Sequence, residues 1–372
     1  MRGRPSVLQV LQPEEGGVPE HVRTLALGLH ERGFDVEVAS SPASAPLAAL
    51  EAAGFPVHRL PLERAPGRGD FPAARALRGL DARGRYDVVH AHSSKAGALT
   101  RIALPRRRRL VYTPHCFAFA ARFAPVQRAL YWAAEQGLVT RCAAVIAVSE
   151  WERRLAVRAL AGARRVLRKI ENGVGPCPRS TPDRALRDFA AGRPLAGLVS
   201  ALRPQKDPLL AVRAMALLAR DGAPAGRLAI VGNGELASEV RAEIGRLAVG
   251  DYVRWFPFEG PVAQYLAALD VFVLPSAWES FPLSVLEAMR CERAVLATSV
   301  GGIPEAVQDG VTGRLTPPGD AHALAEALVE LFVDVQRREE LAAAARDVAE
   351  TRFDADRMID ETAALYRTLV AG

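Results

Sequence analysis

Short apolar runs alternate with amphipathic stretches along most of the chain, and this alternation limits the fold more than any other feature. The runs that indicate strands are SVLQVL, DVEVAS, PVHRLPL, DVVHAHS, RLVYTPH and AVIAVS, then LAGLVSAL, RLAIVGNG, YVRWFPF, VFVLPS and AVLATSV. Helical patterns such as PEHVRTLALGLHERG and FAPVQRALYWAAEQGLV separate most of them. Because strands that alternate with helices form parallel sheets covered on both faces, the sequence predicts an α/β fold.

The alternation is interrupted by PCPRSTPD, a proline-rich stretch that predicts a linker. A chain of 372 residues is long for one domain and comfortable for two. We therefore expect two doubly wound, Rossmann-like domains facing a central cleft, over residues 1–180 and 186–352. Residues 353–372 are expected to form a helix that packs back on the N-terminal domain. In such sheets ligands bind at the carboxyl ends of the strands.

Several features indicate the compartment. No apolar run reaches the roughly 18 residues that a membrane-spanning helix needs. The N-terminal stretch MRGRPSVLQVL predicts a first strand and not a signal peptide. The cysteines at 116, 142, 177 and 291 lie far apart in the sequence, form no metal-like pair and are interpreted as free thiols in a reducing compartment. A cytoplasmic location is therefore expected.

Charge is unevenly distributed. Residues 1–185 hold 29 basic and 16 acidic side chains, whereas the remainder holds 19 and 26. The basic N-terminal half indicates an anionic partner, such as a membrane surface or a nucleic acid. The sharpest cluster is Arg106 to Arg109, and a second group comprises Arg153, Arg154, Arg158, Arg164 and Arg165, although either group could be a solvated face.

Lysine is rare in this chain: of 48 basic residues, the lysines are Lys95, Lys169 and Lys206. An ammonium is a compact point charge, whereas a guanidinium is a broad planar fork. A retained lysine therefore hints at a site that tolerates arginine poorly.

In the N-terminal half, three predicted strands end in loops rich in glycine or polar residues. Gly16 and Gly17 precede a helix and could admit an anion to its free amides, although the loop lacks the GxGxxG and GK[ST] spacings. His115 directly follows a strand and could bond a substrate hydroxyl or serve the structure alone. A donor-rich helix start is predicted at His92, Ser93, Ser94 and Lys95. Metal binding by His90 and His92 lacks further ligands and is not expected.

The C-terminal half has three comparable loops. Arg203 and Lys206 follow its first strand and could reach a phosphate. The glycine loop consists of Gly232, Asn233 and Gly234. The third loop, WESFPLSVLEAM, carries Glu279 and Glu287, and its candidate ligand contacts also include Ser280, Phe281, Leu283 and Ser284.

Two interpretations of that third loop remain open. In the simpler one, Ser280 caps an ordinary helix and Glu287 is a solvated residue. In the other, helix amides after Glu279 hold a diphosphate, Glu279 accepts hydroxyls beyond it, and Glu287 accepts ribose hydroxyls.

The motifs EEGGVPEHV, TPHCFAF, ENGV, RPQKD, VGNGE and ESFPLSVLEAM followed by SVGGIPE occur in this order along nearly the whole chain. In this respect the sequence resembles glycosyltransferase family 4, retaining enzymes with the GT-B architecture. The resemblance implies a nucleotide-sugar donor, with a UDP-sugar favoured, in the C-terminal domain and a saccharide acceptor on the N-terminal one. It implies no cofactor, no required metal and no nucleic acid. HSSKAG with TPHCFAF resembles members that extend lipid-linked saccharides, which implies a peripheral position on the inner face of the cytoplasmic membrane.

Carried over from the family, Glu279 is the sugar-contacting glutamate and Glu287 the ribose glutamate. Lys206 binds the diphosphate with Arg203 as its companion, and His115 lies near the transferred sugar. The chain departs from the family pattern at Ala201, where an arginine is usual, and at Cys116, where glycine is usual.

Two other readings stay open on the same fold: a nucleotide-sugar 2-epimerase, or an inactive binding protein. The sequence does not name the donor sugar, its base or the acceptor.

Overall fold

The structure is a computed structural model that describes residues 3–12, 16–41, 45–62, 67–84, 86–222 and 225–372. Glu14 and Glu15, which open the first glycine motif, lie outside these ranges. The chain divides into two compact units, which are described separately. The first comprises Met1–Asn172 and Ala355–Gly372, and the second comprises Gly173–Asp354.

The described part of the first unit contains a sheet of seven parallel strands. The strands are β1 (Ser6–Leu11), β2 (Asp35–Ser40), β3 (Val57–Arg59), β4 (Val88–His92), β5 (Leu110–Thr113), β6 (Ala144–Ala147) and β7 (Leu167–Lys169). The helices are α1 (Gly17–Glu31), α2 (Ala45–Ala52), α3 (Asp70–Gly84), α4 (Ser94–Ala103), α5 (Pro125–Leu138), α6 (Glu150–Ala159), α7 (Ala163–Val166) and, from the end of the chain, α16 (Ala355–Ala371). Short 3-10 turns cover Ala118–Ala120 and Val139–Arg141.

The strand order of this sheet is β3-β2-β1-β4-β5-β6-β7. The chain runs outward from β1 to β3 and then returns to place β4 on the other side of β1, so the order reverses between β1 and β4. Strand β1 is buried along almost its whole length, as expected for the centre of a sheet covered on both faces. At such a reversal the loops diverge and leave a crevice at the carboxyl ends of the strands.

The second unit repeats this design with six parallel strands in its described part. The strands are β8 (Leu195–Val199), β9 (Arg227–Val231), β10 (Val253–Phe256), β11 (Val271–Leu274), β12 (Ala294–Thr298) and β13 (Arg314–Thr316). The helices are α8 (Arg184–Ala190), α9 (Pro208–Arg220), α10 (Ala237–Arg246), α11 (Val262–Ala268), α12 (Leu283–Arg290), α13 (Ile303–Ala306), α14 (Ala321–Val333) and α15 (Val335–Arg352). Their strand order, β10-β9-β8-β11-β12-β13, reverses between β8 and β11.

The boundary between the units falls after Asn172, ahead of the residue 180 expected from the proline-rich stretch. The last helix, α16, packs against α1 in the first unit. Gly28 permits close contact there, because an added Cβ would lie 2.4 Å from the Ile359 Cδ1 atom. Ile359 and Tyr366 of α16 are buried in the same core cluster as strand β1. The core of the first unit is therefore built from both ends of the chain.

The prediction that all four cysteines are free thiols was wrong for two of them. Cys177 and Cys291 form a disulfide across a sequence separation of 114 residues, whereas Cys116 and Cys142 are free. Cys291 directly follows α12, and the fold brings the segment after Asn172 to that helix end. Distance along the sequence carries no information about such a tertiary contact.

Among the helices that the structure describes, none combines the length and the apolar character needed to cross a bilayer.

Candidate functional site

In the second unit, a lysine and a glutamate from separate loops meet where the strand order reverses. Lys206 lies between β8 and α9, and Glu279 lies between β11 and α12. The Lys206 Nζ atom is 2.5 Å from the Glu279 Oε1 atom, and Glu279 is buried. Ser276 donates its hydroxyl to the same Oε1 at 2.8 Å, and Gln205 donates its side-chain amide to Oε2 at 3.1 Å. The buried carboxylate is thus paired and hydrogen-bonded on both oxygens.

Backbone contacts hold these loops together. The Ala277 amide donates to the Gln205 carbonyl at 2.8 Å, which ties the β11 loop to the β8 loop. Gly302, in the SVGGIPE segment, donates its amide to the Ser280 carbonyl at 2.8 Å. Gly301 has φ +57°, and a Cβ there would lie 1.8 Å from the Glu279 carbonyl oxygen. Only glycine allows that segment to press against the backbone of Glu279.

The pair keeps hydrogen-bonding capacity for a ligand. An ammonium has three N–H donors, of which the contact to Glu279 uses one. A carboxylate offers about four acceptor positions, and the three contacts to Lys206, Ser276 and Gln205 leave about one. Lys206 can therefore contact an anion while it stays paired with Glu279, and Glu279 can still accept a hydroxyl.

Helix α12 begins at Leu283, with Pro282 at its N-cap position and no side-chain cap. The interpretation of Ser280 as the helix cap was wrong, because Pro282 occupies that position. The Ser280 hydroxyl is buried and has no hydrogen-bond partner among the described residues.

The half-exposed side of α12 carries three predicted ligand contacts: Leu283, Ser284 and Glu287. Residues three and four apart share one side of a helix, so these three are neighbours. Phe281 differs from them: its ring is buried and packs against Phe353 with centroids 5.4 Å apart. A ligand role for Phe281 is therefore confined to its backbone.

The glycine loop after β9 packs against the loop after β8. A Cβ on Gly232 would lie 2.0 Å from the Ser200 carbonyl oxygen, and one on Gly234 would lie 2.5 Å from the Leu202 carbonyl oxygen. The Asn233 carbonyl accepts from the Leu202 amide at 2.8 Å, and its side chain donates to the Phe258 carbonyl at 3.0 Å. The structure thus gives this loop a packing role, in addition to its predicted contact with the nucleotide-sugar donor.

Of the remaining predicted cations in this unit, Arg203 is half-buried in the β8–α9 loop. Its carbonyl accepts from the Lys206 amide at 2.9 Å, which places both residues in one tight turn. Ala201, the departure from the family pattern, is half-buried in the same loop.

In the first unit, His115 lies in the loop after β5. Its backbone has φ +54°, and the next residue, Cys116, has φ +132°. Glycine reaches such values without strain, whereas a side-chain-bearing residue there costs of the order of 1–3 kcal/mol. The cysteine in place of the usual glycine therefore occupies a position with a glycine-like backbone.

The His115 imidazole meets two further imidazoles at the carboxyl ends of the central strands. Its Nε2 is 3.1 Å from the Nδ1 of His92, the last residue of β4, and His92 Nε2 is 2.7 Å from the Gln9 Oε1 atom. The ring of His21, from α1, lies 4.7 Å from that of His115. His92 is fully buried, so the prediction that it contacts the acceptor is not supported; it contacts His115 instead.

Burial keeps these imidazoles neutral. Desolvation lowers the pKa of His21 to about 4 and holds the pKa values of His90, His92 and His115 well below the ordinary value. For His90, His92 and His115 a second cause is the proximity of other histidines, because neighbouring imidazoliums would repel one another.

The other predicted acceptor residues have partners within the unit. Ser93 is the N-cap of α4 and accepts from the Ala96 amide. The Ser94 hydroxyl accepts from the Ala118 amide at 3.1 Å, and the Lys95 ammonium pairs with Asp70. These contacts give all three a structural role, and they do not favour Lys95 as an anion-binding cation.

Gly16 and Gly17 of the first glycine motif are exposed. Gly16 is the N-cap of α1, with φ +95°, and Gly17 is the first helical residue. A Cβ added to Gly16 would meet no atom of the described residues within 4 Å, and Glu20 lies in the first turn of the helix.

Three histidines lie close enough to be considered for a metal. Candidate ligand atoms of His21, His92 and His115 lie within 4.8 Å of one another, and no other such group occurs among the described residues. The sequence considered His90 with His92 and missed His21, which is distant in sequence. Within this cluster His92 and His115 are hydrogen-bonded to each other directly.

Comparisons with known proteins match both halves of the chain to glycosyltransferase domains. Residues 16–173 match the glycosyl transferase 4-like domain, and residues 182–348 match the glycosyl transferases group 1 family. The chain is 32% identical to a D-inositol 3-phosphate glycosyltransferase of Actinosynnema mirum, covering 95% of this chain and 92% of the relative. It is 30% identical to a 2-deoxystreptamine N-acetyl-D-glucosaminyltransferase of Streptomyces fradiae, in a match that covers 73% of this chain and 69% of the relative.

Solved structures share the fold. Anabaena Alr3699/HepE in complex with UDP-glucose superposes with a TM-score of 0.83 at 24% identity, covering 98% of this chain and 99% of the other. The sucrose-phosphate synthase of Thermosynechococcus elongatus superposes with a TM-score of 0.84 at 23% identity, covering 99% of this chain and 100% of the other. The architecture is therefore that of the two-domain α/β GT-B enzymes. The chain belongs to the group 1 glycosyl transferases with a 4-like N-terminal domain, and it is a glycosyltransferase.

Acid should destabilise the fold through the buried histidines. The pKa of His21 is about 4 in the folded chain and near 6.5 when unfolded, so the unfolded state takes up the proton first as pH falls. His21 alone should remove roughly 2 kcal/mol of stability between pH 7 and pH 5. Thermal melting of wild type, His21→Gln and, as a control, the exposed His322→Gln tests this. Equal acid sensitivity of wild type and His21→Gln would contradict it.

Lys206→Ala should lower the transfer rate by roughly 10²-fold, because a cation that stabilises developing charge is worth about 3 kcal/mol. The matched control is Lys169→Ala, which removes another lysine paired with a glutamate, Glu171, in the first unit. Turnover numbers of both variants and a thermal melt provide the measurement. Near-wild-type turnover of Lys206→Ala would contradict the role of Lys206 as the cation that stabilises developing negative charge.

Proposed function

We propose that this glycosyltransferase is a retaining enzyme that moves a sugar from a nucleotide sugar, with a UDP-sugar favoured, to a saccharide acceptor. The observation that supports this best is the Lys206–Glu279 pair, set beside the start of α12 and still able to take further ligand contacts. The similar structure of Anabaena Alr3699/HepE, which was solved in complex with UDP-glucose, supports the same class of nucleotide-sugar donor.

The proposed reaction breaks the bond between the anomeric carbon and a diphosphate oxygen. The acceptor hydroxyl oxygen bonds to that carbon on the same face of the sugar, and its proton passes to the departing diphosphate. Negative charge grows on the diphosphate, where Lys206, Arg203 and the amides before α12 would stabilise it. Glu287 would accept the ribose hydroxyls, and Glu279 and His115 would contact the transferred sugar.

Metal-free transfer is part of the proposal. Mg²⁺ in phosphoryl sites is usually held by carboxylates together with substrate phosphates. In the proposed site the nearest carboxylate to Lys206, that of Glu279, is already paired with it. Lysine and arginine would supply the positive charge in place of an ion.

For the acceptor, we propose a lipid-linked saccharide reached from the inner face of the cytoplasmic membrane. The supporting feature is α5, which is exposed along most of its length. Val126 and Leu130 are 74% and 66% exposed and lie four residues apart on one side of α5, and Phe123, just before the helix, is 41% exposed; we call these three residues the apolar stripe. An exposed apolar patch of this kind is typical of a protein or membrane contact.

Three arginines of the two basic clusters predicted from the sequence have acidic partners. Arg108 pairs with Asp81, and Arg153 and Arg154 both pair with Glu150. These arginines are partly neutralised. Exposed Arg122 and Arg128 lie beside the apolar stripe instead, and this combination fits an anionic bilayer surface.

A small soluble acceptor is the second candidate. The relatives from Actinosynnema mirum and Streptomyces fradiae are named for inositol 3-phosphate and 2-deoxystreptamine. Both are compact polyhydroxylated rings and need no membrane.

A donor screen tests the reaction. Purified protein should bind one of the UDP-, GDP- and ADP-sugars, hydrolyse or transfer it without added metal, and keep that activity in EDTA. Glu287→Ala should mainly raise the donor KM, whereas Glu279→Ala should mainly lower kcat, because the ribose contact is made equally in ground and transition states. Release and re-addition of nucleotide without an acceptor would favour the 2-epimerase, and EDTA inactivation would refute the metal-free mechanism.

Vesicle co-sedimentation tests the membrane contact. The protein should bind anionic vesicles at low salt and dissociate as salt screens charges over about 10 Å. Val126→Asp should weaken binding by about tenfold, because it removes one buried apolar contact. The control is Val333→Asp, since Val333 is a similarly exposed valine in the second unit. Equal binding to neutral vesicles, or none at low salt, would favour the small soluble acceptor.

A further inference from the structure

We propose that Tyr366, on the C-terminal helix α16, is a positioning residue that fixes the tautomer of the His115 imidazole through Gln9 and His92. The inference rests on the proposed role of His115 beside the transferred sugar. It follows from a buried chain of hydrogen bonds in the first unit whose proton positions constrain one another.

The chain begins at the Tyr366 hydroxyl, which is fully buried. This oxygen lies 2.5 Å from His90 Nδ1 and 3.2 Å from the Gln9 side-chain nitrogen. His90 Nε2 lies 2.8 Å from the Thr113 hydroxyl. The Gln9 nitrogen can only donate, so Tyr366 accepts from Gln9 and gives its single proton to His90.

Gln9 passes this orientation on to His92. Because its amide nitrogen faces Tyr366, its carbonyl oxygen faces His92 Nε2 at 2.7 Å. A carbonyl oxygen only accepts, so His92 carries its proton on Nε2. Burial holds the pKa of His92 well below the ordinary value, and the neutral ring has no second proton. Its Nδ1 is therefore an acceptor.

His92 in turn fixes His115. The two rings meet at 3.1 Å between His92 Nδ1 and His115 Nε2. Because His92 Nδ1 accepts, His115 Nε2 must carry the proton. His115 is also neutral, since burial holds its pKa well below the ordinary value. Its Nδ1 thus keeps a lone pair, which can accept a hydroxyl of a bound sugar.

A single amide flip would reverse every one of these positions. If the Gln9 amide turned over, its nitrogen would donate to His92 Nε2, and the His92 proton would lie on Nδ1. His115 would then accept at Nε2 and carry its proton on Nδ1. Each imidazole keeps one proton, but the His115 nitrogen left for a ligand changes from acceptor to donor. The flip would also place the Gln9 carbonyl oxygen against the Tyr366 hydroxyl, which would then have to donate to Gln9 and accept from His90 Nδ1. Tyr366 therefore couples the Gln9 orientation to the tautomer of His90, and removing its hydroxyl removes that constraint.

The test is ¹⁵N nuclear magnetic resonance of protein labelled at histidine, which distinguishes Nε2–H from Nδ1–H tautomers. Wild type should show His92 and His115 as Nε2–H. Tyr366→Phe should move both toward a mixture that includes Nδ1–H. The control is Thr362→Val, which removes another buried hydroxyl from α16, one bonded to the Met358 carbonyl of the same helix. That variant should leave the histidine spectrum unchanged.

A double variant tests whether the effect passes through Gln9. In a Gln9→Leu background, Tyr366→Phe should have no further effect on the His115 signal, because the intermediate amide is gone. Thermal melts confirm that each variant is folded. An unchanged His115 signal in Tyr366→Phe, or an Nδ1–H tautomer in wild type, would overturn the proposal.

Activity measurements separate this inference from the proposed function. Tyr366→Phe should lower kcat by between about tenfold and 10²-fold, as a displaced contact group does, and leave the donor KM nearly constant. A tautomer change without any change in transfer would uphold the hydrogen-bond chain and refute the role of His115. A fall in the transfer rate with an unchanged His115 spectrum would refute the hydrogen-bond chain without contradicting the proposed role of His115.

Discussion

The carboxyl ends of parallel strands meet at one edge of a sheet, and the polar chemistry of this chain depends on that constraint. In the second unit it brings Lys206 and Glu279 together from loops that are distant in sequence. In the first unit it places His92 and His115 side by side after neighbouring strands β4 and β5. The reversal of strand order beside β1 and β8 leaves space at these edges for a ligand, whereas the apolar strands beneath supply the rigid support.

The two units offset the free-energy cost of burying polar groups in different ways. The second surrounds the buried Glu279 carboxylate with an ammonium, a hydroxyl and an amide as donors. Such a pair is stable only when its remaining hydrogen bonds are also satisfied. The first unit holds its imidazoles neutral and joins His92 and His115 directly, so no charge needs compensation. The two units thus avoid an unpaired buried charge by different means.

The sequence predicted most of the strands because buried parallel strands are continuous apolar runs. It missed β7 and β13, which are three-residue edge strands with the sequences LRK and RLT, where no such run exists. Lys206 and Glu279 could be selected because they follow strands inside quoted motifs. His21, Gln9 and Tyr366 could not, because their importance comes from hydrogen bonds and ring contacts that span up to 357 residues of chain. The disulfide was missed for the same reason.

The return of the chain to its first unit also sets the order in which the units can be completed during synthesis. Domains generally fold as units as they emerge from the ribosome, the N-terminal one first. Here the core around β1 includes Met358, Ile359 and Tyr366, which are made only after the whole of the second unit. The second unit is continuous from Gly173 to Asp354, so all of its residues are made before residues 355–372, which complete the first unit. The nascent first unit therefore keeps an unfilled groove along α1 until the residues of α16 have been made.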